Sequence, residues 1–142
     1  MILFIVLIII NLWILYSIKE PKVFIEVKEK YKIFREHLED TDNKKFHMLR
    51  DHKPITGYKR MNGVIGYNTN KGGEIAICLD GDANEIFHVL IHELAHCTVK
   101  EYTHSPEFWK NYTELRDMCV ELGIYKKIPQ RTKFCGKHIQ DK

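Results

Sequence analysis

The first eighteen positions form an almost unbroken apolar run, interrupted only by Asn11 and Ser17. A helix of this length is at the lower limit of what crosses the hydrocarbon core of a bilayer. Trp13 and Tyr16 near its end are residue types enriched at membrane interfaces. Because the run has neither a basic start nor a small-residue cleavage site, a retained transmembrane anchor over residues 1–18 is favoured over a signal peptide or a buried core helix.

Charge is distributed unevenly around this run. Several lysines follow it, beginning with Lys19, and no charged side chain precedes it. By the positive-inside rule, the remaining chain is expected on the cytoplasmic side of the membrane, or inside a virion budded from such a membrane. The sequence thus predicts a single-pass membrane protein.

Pro21 separates the apolar run from a segment with helical periodicity. Apolar residues recur there at helical spacing, with lysines and glutamates between them: Val23, Val27, Tyr31, Phe34 and Leu38. The pattern predicts an amphipathic helix, packed on the protein surface rather than lying on lipid head groups. A short helix is expected across Lys44–Asp51, so residues 19–55 are predicted to be a helical linker or N-terminal helices.

From residue 56 the pattern changes to short apolar runs separated by glycine and asparagine. Val64–Tyr67 and Glu74–Leu79 read as strands, and Asn68–Gly73 between them as a turn. An antiparallel hairpin follows from this arrangement. The tail, Lys126–Lys142, is expected to pack loosely apart from Phe134–Gly136.

Two helices are predicted between the hairpin and the tail. Asp82 is a suitable N-cap for an apolar helix over roughly residues 83–98. Ser105 followed by Pro106 begins a second helix, and Gly123 ends it. The second helix carries one apolar stripe, made by Phe108, Tyr112, Leu115, Cys119 and Leu122.

Composition supports one modest core behind the apolar run. With 22 basic and 19 acidic residues, the net charge of +3 is too small and too evenly spread to indicate nucleic-acid binding. The four cysteines show no CxxC pair and no compact disulfide spacing, and on the reducing side of a membrane they are expected to be free thiols: Cys78, Cys97, Cys119 and Cys135.

The first of the two predicted helices carries an HExxH motif. His92 and His96 are four positions apart, so they project from one helix face and can hold one metal ion. Glu93 is rotated by about 100° from His92, which places it beside the ion and within reach of a water molecule. His104, at the entrance of the second helix, is the preferred third ligand. His88 lies one turn before His92, and a structural role is favoured for it over a place in the cleft.

Two alternatives remain open at the level of sequence. A carboxylate of the second helix, Glu114 or Asp117, is another possible third ligand. The zinc site is also compatible with a non-catalytic, membrane-anchored binding or virion-structural module. Against a purely structural site, three histidines leave a fourth position open, whereas structural zinc sites usually have four protein ligands.

These motifs resemble those of the WLM and SprT (Spartan-like) zinc metallopeptidases. The run from His92 to His96, followed by His104-Ser-Pro-Glu-Phe108-Trp109, carries the resemblance, which is closest to the WLM-like proteins of giant DNA viruses and covers roughly residues 57–136. It implies an α+β, zincin-like domain over residues 56–142, behind the anchor. It also implies that the strand Ile75–Leu79 forms the rim of the cleft and pairs with an extended peptide.

The function implied by the resemblance is zinc-dependent endopeptidase activity on protein or peptide substrates. His92, His96 and His104 are expected to bind Zn²⁺, and Glu93 is expected to act as the general base. The natural substrate, the cleavage preference and the oligomeric state do not follow from the sequence.

Overall fold

The computed structural model describes residues 1–61 and 63–142 and has an α+β architecture. Its helices are α1 (Ile2–Ser17), α2 (Lys22–Asp40), α3 (Ala83–His96) and α4 (Pro106–Glu121), with one 3₁₀ turn at His47–Leu49. Its strands are β1 (Ile55–Tyr58), β2 (Gly66–Thr69), β3 (Glu74–Cys78), β4 (Thr132–Phe134) and β5 (Lys137–Ile139). The α+β class is therefore confirmed.

Helix α1 stands apart from the rest of the molecule, since every one of its residues is exposed. Within the described residues, neither α1 nor any other helix is by itself both long enough and apolar enough to cross a bilayer. Only α1 and α2 together meet that criterion, with a bend of 48° between them.

Helix α2 packs against the core as the periodicity predicts. It buries one apolar face, formed by Phe24, Val27, Tyr31, Phe34 and Leu38. The helix expected over Lys44–Asp51 is reduced to the 3₁₀ turn at His47–Leu49. The Asn43 side chain holds this segment, because its Oδ1 accepts a hydrogen bond from the backbone N–H of Phe46 at 2.9 Å.

The main sheet has three strands in the order β1-β3-β2. Strands β2 and β3 form the predicted antiparallel hairpin, with Gly66 opposite Ile77. Strand β1, which the sequence pattern does not indicate, lies parallel to β3 on the other side. Strand β3 is therefore central and buried, so the expectation that Ile75–Leu79 pairs with a peptide is wrong: both of its edges are already occupied.

Helices α3 and α4 begin at the caps that the sequence predicts. The Asp82 Oδ1 accepts a hydrogen bond from the Glu85 N–H at 2.8 Å, and the Ser105 Oγ accepts one from the Phe108 N–H at 3.2 Å. Helix α3 ends at His96, two residues earlier than expected. Gly123, with φ +73°, follows the end of α4 in the left-handed conformation that glycine adopts without strain.

The tail is ordered by contacts that sequence patterns do not reveal. Strands β4 and β5 form a second hairpin, and Ile128, Phe134 and Ile139 are buried. The expectation of a loosely packed tail is therefore wrong. A disulfide joins Cys78 at the end of β3 to Cys135 in this hairpin.

The disulfide corrects the expectation of four free thiols. Cys78 and Cys135 are 57 positions apart in sequence, and only the packing of the tail hairpin over the end of β3 brings them together. Gly81 permits that close packing, since a Cβ there would lie 2.4 Å from the Phe134 ring. Cys97 and Cys119 are free thiols, as predicted.

Candidate metal centre and cleft

The three histidines singled out by the sequence meet at one point between α3 and α4. The coordinating nitrogens of His92, His96 and His104 all lie within 4.8 Å of one another. The two Nε2 atoms of His92 and His104 are 3.0 Å apart. Three nitrogens at 2.0–2.1 Å around a tetrahedral zinc ion are separated by about 3.3 Å, so this cluster is of the right size for one ion.

The electrostatic state of the histidines also suits a metal. Burial, together with the neighbouring imidazoles of His96 and His104, lowers the pKa of His92 to about 3. Burial and the adjacent His104 lower the pKa of His96 to about 4. Both rings are therefore neutral at pH 7, and a neutral imidazole is the form that binds a metal.

Aromatic residues of α4 support the cluster from behind. The Phe108 ring centroid lies 4.5 Å from that of His96, 4.8 Å from that of His104 and 5.1 Å from that of His92. Because Phe108 is fully buried, it fixes the positions of all three imidazoles relative to one another. Trp109 extends this support to His104, at 5.5 Å between ring centroids.

Glu93 lies beside the cluster rather than in it. The side chain is buried, with 6% of the residue exposed, and burial raises its pKa to about 7. A carboxyl group with a pKa near the working pH can both take up and release a proton, as general acid–base catalysis requires. The position matches the one predicted from its rotation around the helix relative to His92.

The carboxylates considered as alternative third ligands lie elsewhere. Glu114 forms an ion pair with Lys45 at 2.6 Å, and Asp117 is engaged by Arg116 and Lys127 at 2.9 and 3.2 Å. Neither belongs to the group of side chains that can share one ion. The geometry therefore favours His104.

The segment between α3 and α4 is held by a lysine that the sequence did not single out. Lys71, in the turn between β2 and β3, donates hydrogen bonds to the carbonyl oxygens of His96 at 3.1 Å and Glu101 at 2.6 Å. Its ammonium also lies 4.1 Å from the Tyr102 ring centroid. Lys71 thus fastens the segment that delivers His104, and no local pattern marks a lysine in a turn for this role.

A cavity of about 330 Å³, here called the main cleft, opens onto the histidine cluster. It is lined by Gly66, Tyr67, Asn68, Lys71, His92, Glu93, His96, Tyr102 and His104. Strand β2 forms one wall and α3 forms the floor. The Asn68 side chain ties the two together, because its Nδ2 donates to the Glu93 carbonyl oxygen at 2.9 Å.

The wall of the main cleft is the free edge of the sheet. Among the described residues β2 pairs only with β3. The Cys78 N–H donates to the Ile65 carbonyl at 2.9 Å, and this register turns the backbone groups of Gly66 and Asn68 away from β3. Gly66 allows this edge to approach α3 closely. A Cβ there would lie 2.7 Å from the Val89 side chain and 3.4 Å from a Glu93 carboxylate oxygen.

His88 and the tail form a buried polar network next to the cluster. The Asp141 carboxylate accepts hydrogen bonds from the hydroxyls of Tyr112 at 2.5 Å and Tyr125 at 2.6 Å, and from the Ile128 N–H at 2.6 Å. The Nδ1 of His88 lies 2.9 Å from the Tyr125 hydroxyl. His88 therefore has the structural contacts that the sequence analysis favoured, while Asp141 was not anticipated.

Comparison with known proteins agrees with this geometry. The WLM domain family model matches residues 42–142. An uncharacterized protein, R325, of Acanthamoeba polyphaga mimivirus is 33% identical over 85 residues, which cover 53% of this chain. The match extends over only 43% of the length of that viral relative. No solved structure matches the chain. Because the family match covers well over half of the sequence, the chain belongs to the WLM domain family, a group of metallopeptidase-like proteins.

Proposed function

We propose that this protein is a zinc-dependent endopeptidase. The observation that carries the proposal is the convergence of His92, His96 and His104 within 4.8 Å, with the Glu93 carboxyl beside them at the floor of the cleft. Family membership supports a metallopeptidase-like activity, and zinc suits a site made of three neutral imidazoles.

In this proposal His92, His96 and His104 would hold one zinc ion. A zinc ion at such a site supplies a Lewis acid and lowers the pKa of water to about 7. Glu93 takes a proton from the attacking water and returns it to the leaving amine, first as general base and then as general acid. Burial of this carboxyl favours its protonated form, which assists uptake of the proton from water.

The substrate binds by adding a strand to β2. The outward backbone groups of Gly66 and Asn68 offer hydrogen bonds to an extended peptide, and the main cleft lies directly below them. We place the peptide antiparallel to β2, because antiparallel pairing is the more stable per residue. The strand edge continues past the main cleft to residues 64 and 65, so a peptide bound along it extends beyond the site of cleavage, as an internal stretch of a protein chain does.

The location proposed here is a membrane surface, with α1 as the anchor. Support comes from the sixteen residues of α1, which bury no side chain against the protein, and from the lysines that follow it. The domain would then face the cytoplasm or a virion interior. Of the two, the Cys78–Cys135 disulfide favours the virion interior, because cytosolic thiols are kept reduced.

The decisive experiment compares wild type with Glu93→Gln. Both proteins are analysed for bound metal and assayed for cleavage of casein and of themselves. We expect one zinc ion per chain in both, with cleavage reduced by at least about 100-fold in the variant because proton transfer is lost. His104→Ala should lose the metal, whereas Glu114→Gln should retain it. Equal cleavage by wild type and Glu93→Gln would contradict the proposal.

The non-catalytic alternative makes the opposite prediction for the same pair. If zinc only stabilises the fold, wild type binds the ion but cleaves nothing, and Glu93→Gln differs from it in no measurable function. Retention of zinc by both proteins together with an absence of cleavage would therefore support a binding module.

A further inference from the structure

A second cavity adjoins the histidine cluster on the other side of Gly66. This side pocket has a volume of about 180 Å³ and shares Gly66, His92 and Glu93 with the main cleft. Along the sheet edge, it lies at residues 64–66, while the main cleft lies at residues 66–68. A peptide paired antiparallel to β2 runs from the main cleft to the side pocket, so the side pocket receives a residue on the carboxyl side of the scissile bond.

The walls of the side pocket are apolar in part. Val64, Ile65 and Val89 contribute aliphatic surface, and Lys137 of β5 contributes the positive charge that lines it. A cavity of about 150 Å³ is sufficient to hold a benzene ring. The side pocket is therefore large enough for an aromatic side chain, and the Lys137 ammonium disfavours a lysine or arginine side chain in it.

His88 supplies a polar ring nitrogen to this pocket. The hydrogen bonds on the other side of the ring determine whether that nitrogen is a donor or an acceptor. The hydroxyl protons of Tyr112 and Tyr125 are both donated to Asp141, so these two oxygens can only accept from His88. The Nδ1 of His88, at 2.9 Å from Tyr125 and 3.3 Å from Tyr112, must then carry the ring proton. In the neutral ring, Nε2 is consequently a hydrogen-bond acceptor.

The Nε2 of His88 is available to a ligand. Among the described residues it forms no hydrogen bond. The fully buried polar atoms without a partner are the Nε atoms of Arg35 and Arg50, so the Nε2 of His88 is not fully buried. His88 lines the side pocket, and because its Nδ1 is turned toward Tyr125 and Tyr112, the opposite ring edge, which carries Nε2, is left to face the cavity. The pocket thus combines aliphatic surface with the His88 imidazole, on a residue that is only 7% exposed, and with the Glu93 carboxyl that it shares with the main cleft.

We propose that His88 is a specificity-determining residue: it accepts a hydrogen bond from the phenol of a substrate tyrosine bound in the side pocket, immediately after the scissile bond. The inference rests on the proposed peptidase function and names its preferred substrate class. Phenylalanine fits the same walls but leaves Nε2 without a partner, and lysine meets the charge of Lys137. The network of Asp141, Tyr112 and Tyr125 places a proton on Nδ1, which leaves Nε2 as the acceptor of the neutral ring.

The test uses the full-length, zinc-loaded chain in detergent micelles and peptides that differ only at the residue after the cleaved bond. That residue is tyrosine, O-methyltyrosine, phenylalanine or lysine. We expect kcat/KM for tyrosine to exceed that for phenylalanine and for O-methyltyrosine by about tenfold, the value of one hydrogen bond to a buried partner. Equal rates for tyrosine and phenylalanine in the wild type would overturn the inference.

Substitutions at His88 and Lys137 test whether these residues cause the preference for tyrosine. His88→Phe should reduce the tyrosine-to-phenylalanine ratio to about one, while His47→Phe, a control at an exposed histidine, should leave it unchanged. Lys137→Glu should increase cleavage before lysine relative to phenylalanine. A ratio that stays near ten in a folded His88→Phe protein contradicts the role of His88. If thermal melting shows that His88→Phe is unfolded, the comparison of tyrosine with O-methyltyrosine in the wild type tests the hydrogen bond instead.

Failure of the proposed function can be distinguished from failure of this inference. Binding of the same peptides to Glu93→Gln is measured by fluorescence anisotropy, which requires no hydrolysis. About tenfold tighter binding of the tyrosine peptide without any cleavage by wild type would retain the specificity pocket and refute the peptidase. Cleavage of all peptides at equal rates would retain the peptidase and refute the pocket.

Discussion

At the scale of single residues, Asp141 determines how the tail attaches to the core. Its carboxylate accepts three hydrogen bonds of 2.5–2.6 Å, and only 5% of its side chain is exposed. Although burial alone would raise the pKa of Asp141, the nearby His88 and the hydrogen bonds from Tyr112 and Tyr125 hold it well below the usual value. The ionised form is therefore part of the folded structure.

We predict that Asp141→Asn destabilises the protein by about 2–3 kcal/mol at pH 7, because the amide presents donors to groups that are themselves donors. Since the folded-state pKa is lowered, the unfolded state binds more protons as the solution becomes acidic. The contribution of Asp141 is fully present above the unfolded value of about 3.9 and is lost as pH falls through the folded value. Urea unfolding from pH 7 down to pH 3 measures it.

The pH series has its own internal check. The difference in unfolding free energy between wild type and Asp141→Asn should narrow below about pH 4, where Asp141 begins to be protonated in the unfolded chain. A difference that stays constant over the whole range would show that the carboxylate charge does not hold the tail.

At the scale of elements, the turn between β2 and β3 controls the segment that carries His104. We predict that Lys71→Met weakens zinc affinity by about tenfold, the usual effect of removing a group that orients a metal ligand. Two hydrogen bonds to carbonyls of that segment disappear, while the hydrophobic core is untouched. Competition with a chromogenic chelator measures the affinity.

The control for Lys71→Met is Lys110→Met, which removes an exposed lysine of α4 without such contacts in the described structure. It should bind zinc as tightly as wild type does. Unchanged affinity in Lys71→Met would mean that His104 is positioned by Phe108 and Trp109 alone.

The elements that the sequence predicts well are those specified by nearby residues. Helices α3 and α4 follow from their caps at Asp82 and Ser105 and from apolar spacing, and both begin at the residues expected. The convergence of the three histidines follows from the same local signals. Strand β1 escapes such analysis, because its four residues gain their conformation from pairing with β3, twenty positions away.

The features that the sequence could not predict depend on distant contacts. The disulfide requires Cys135 to return to the end of β3, and the role of Asp141 requires the tail to reach Tyr112 on α4. Whether β3 is a central or an edge strand also depends on a distant contact. The family resemblance implied that Ile75–Leu79 forms the rim of the cleft, but the parallel partner β1 makes β3 the buried middle strand.

At the scale of the whole molecule, α1 contributes apolar surface but no packing. We predict that a chain of residues 19–142 melts within about 2 °C of the full-length protein, because no side chain of α1 is buried. The same truncation should abolish binding to phosphatidylcholine vesicles. Flotation on a density gradient measures the second effect, and differential scanning calorimetry measures the first.

A point substitution separates membrane binding from the mere presence of α1. Ile9→Asp places a charge at the middle of the helix and should reduce flotation strongly without altering the melting temperature. Flotation of the truncated chain equal to that of the full-length protein would refute the anchor, and a large fall in melting temperature would show that α1 packs on the domain.

The bond between Cys78 and Cys135 closes a covalent ring that contains both histidine-bearing helices, α3 and α4. A protease that nicks the exposed stretch joining those helices therefore opens the ring without releasing a fragment. On a gel run without a thiol reagent, a nicked molecule keeps its full mass, and only dithiothreitol separates the two pieces. Cleavage at that stretch will accordingly go unseen unless the sample is reduced first.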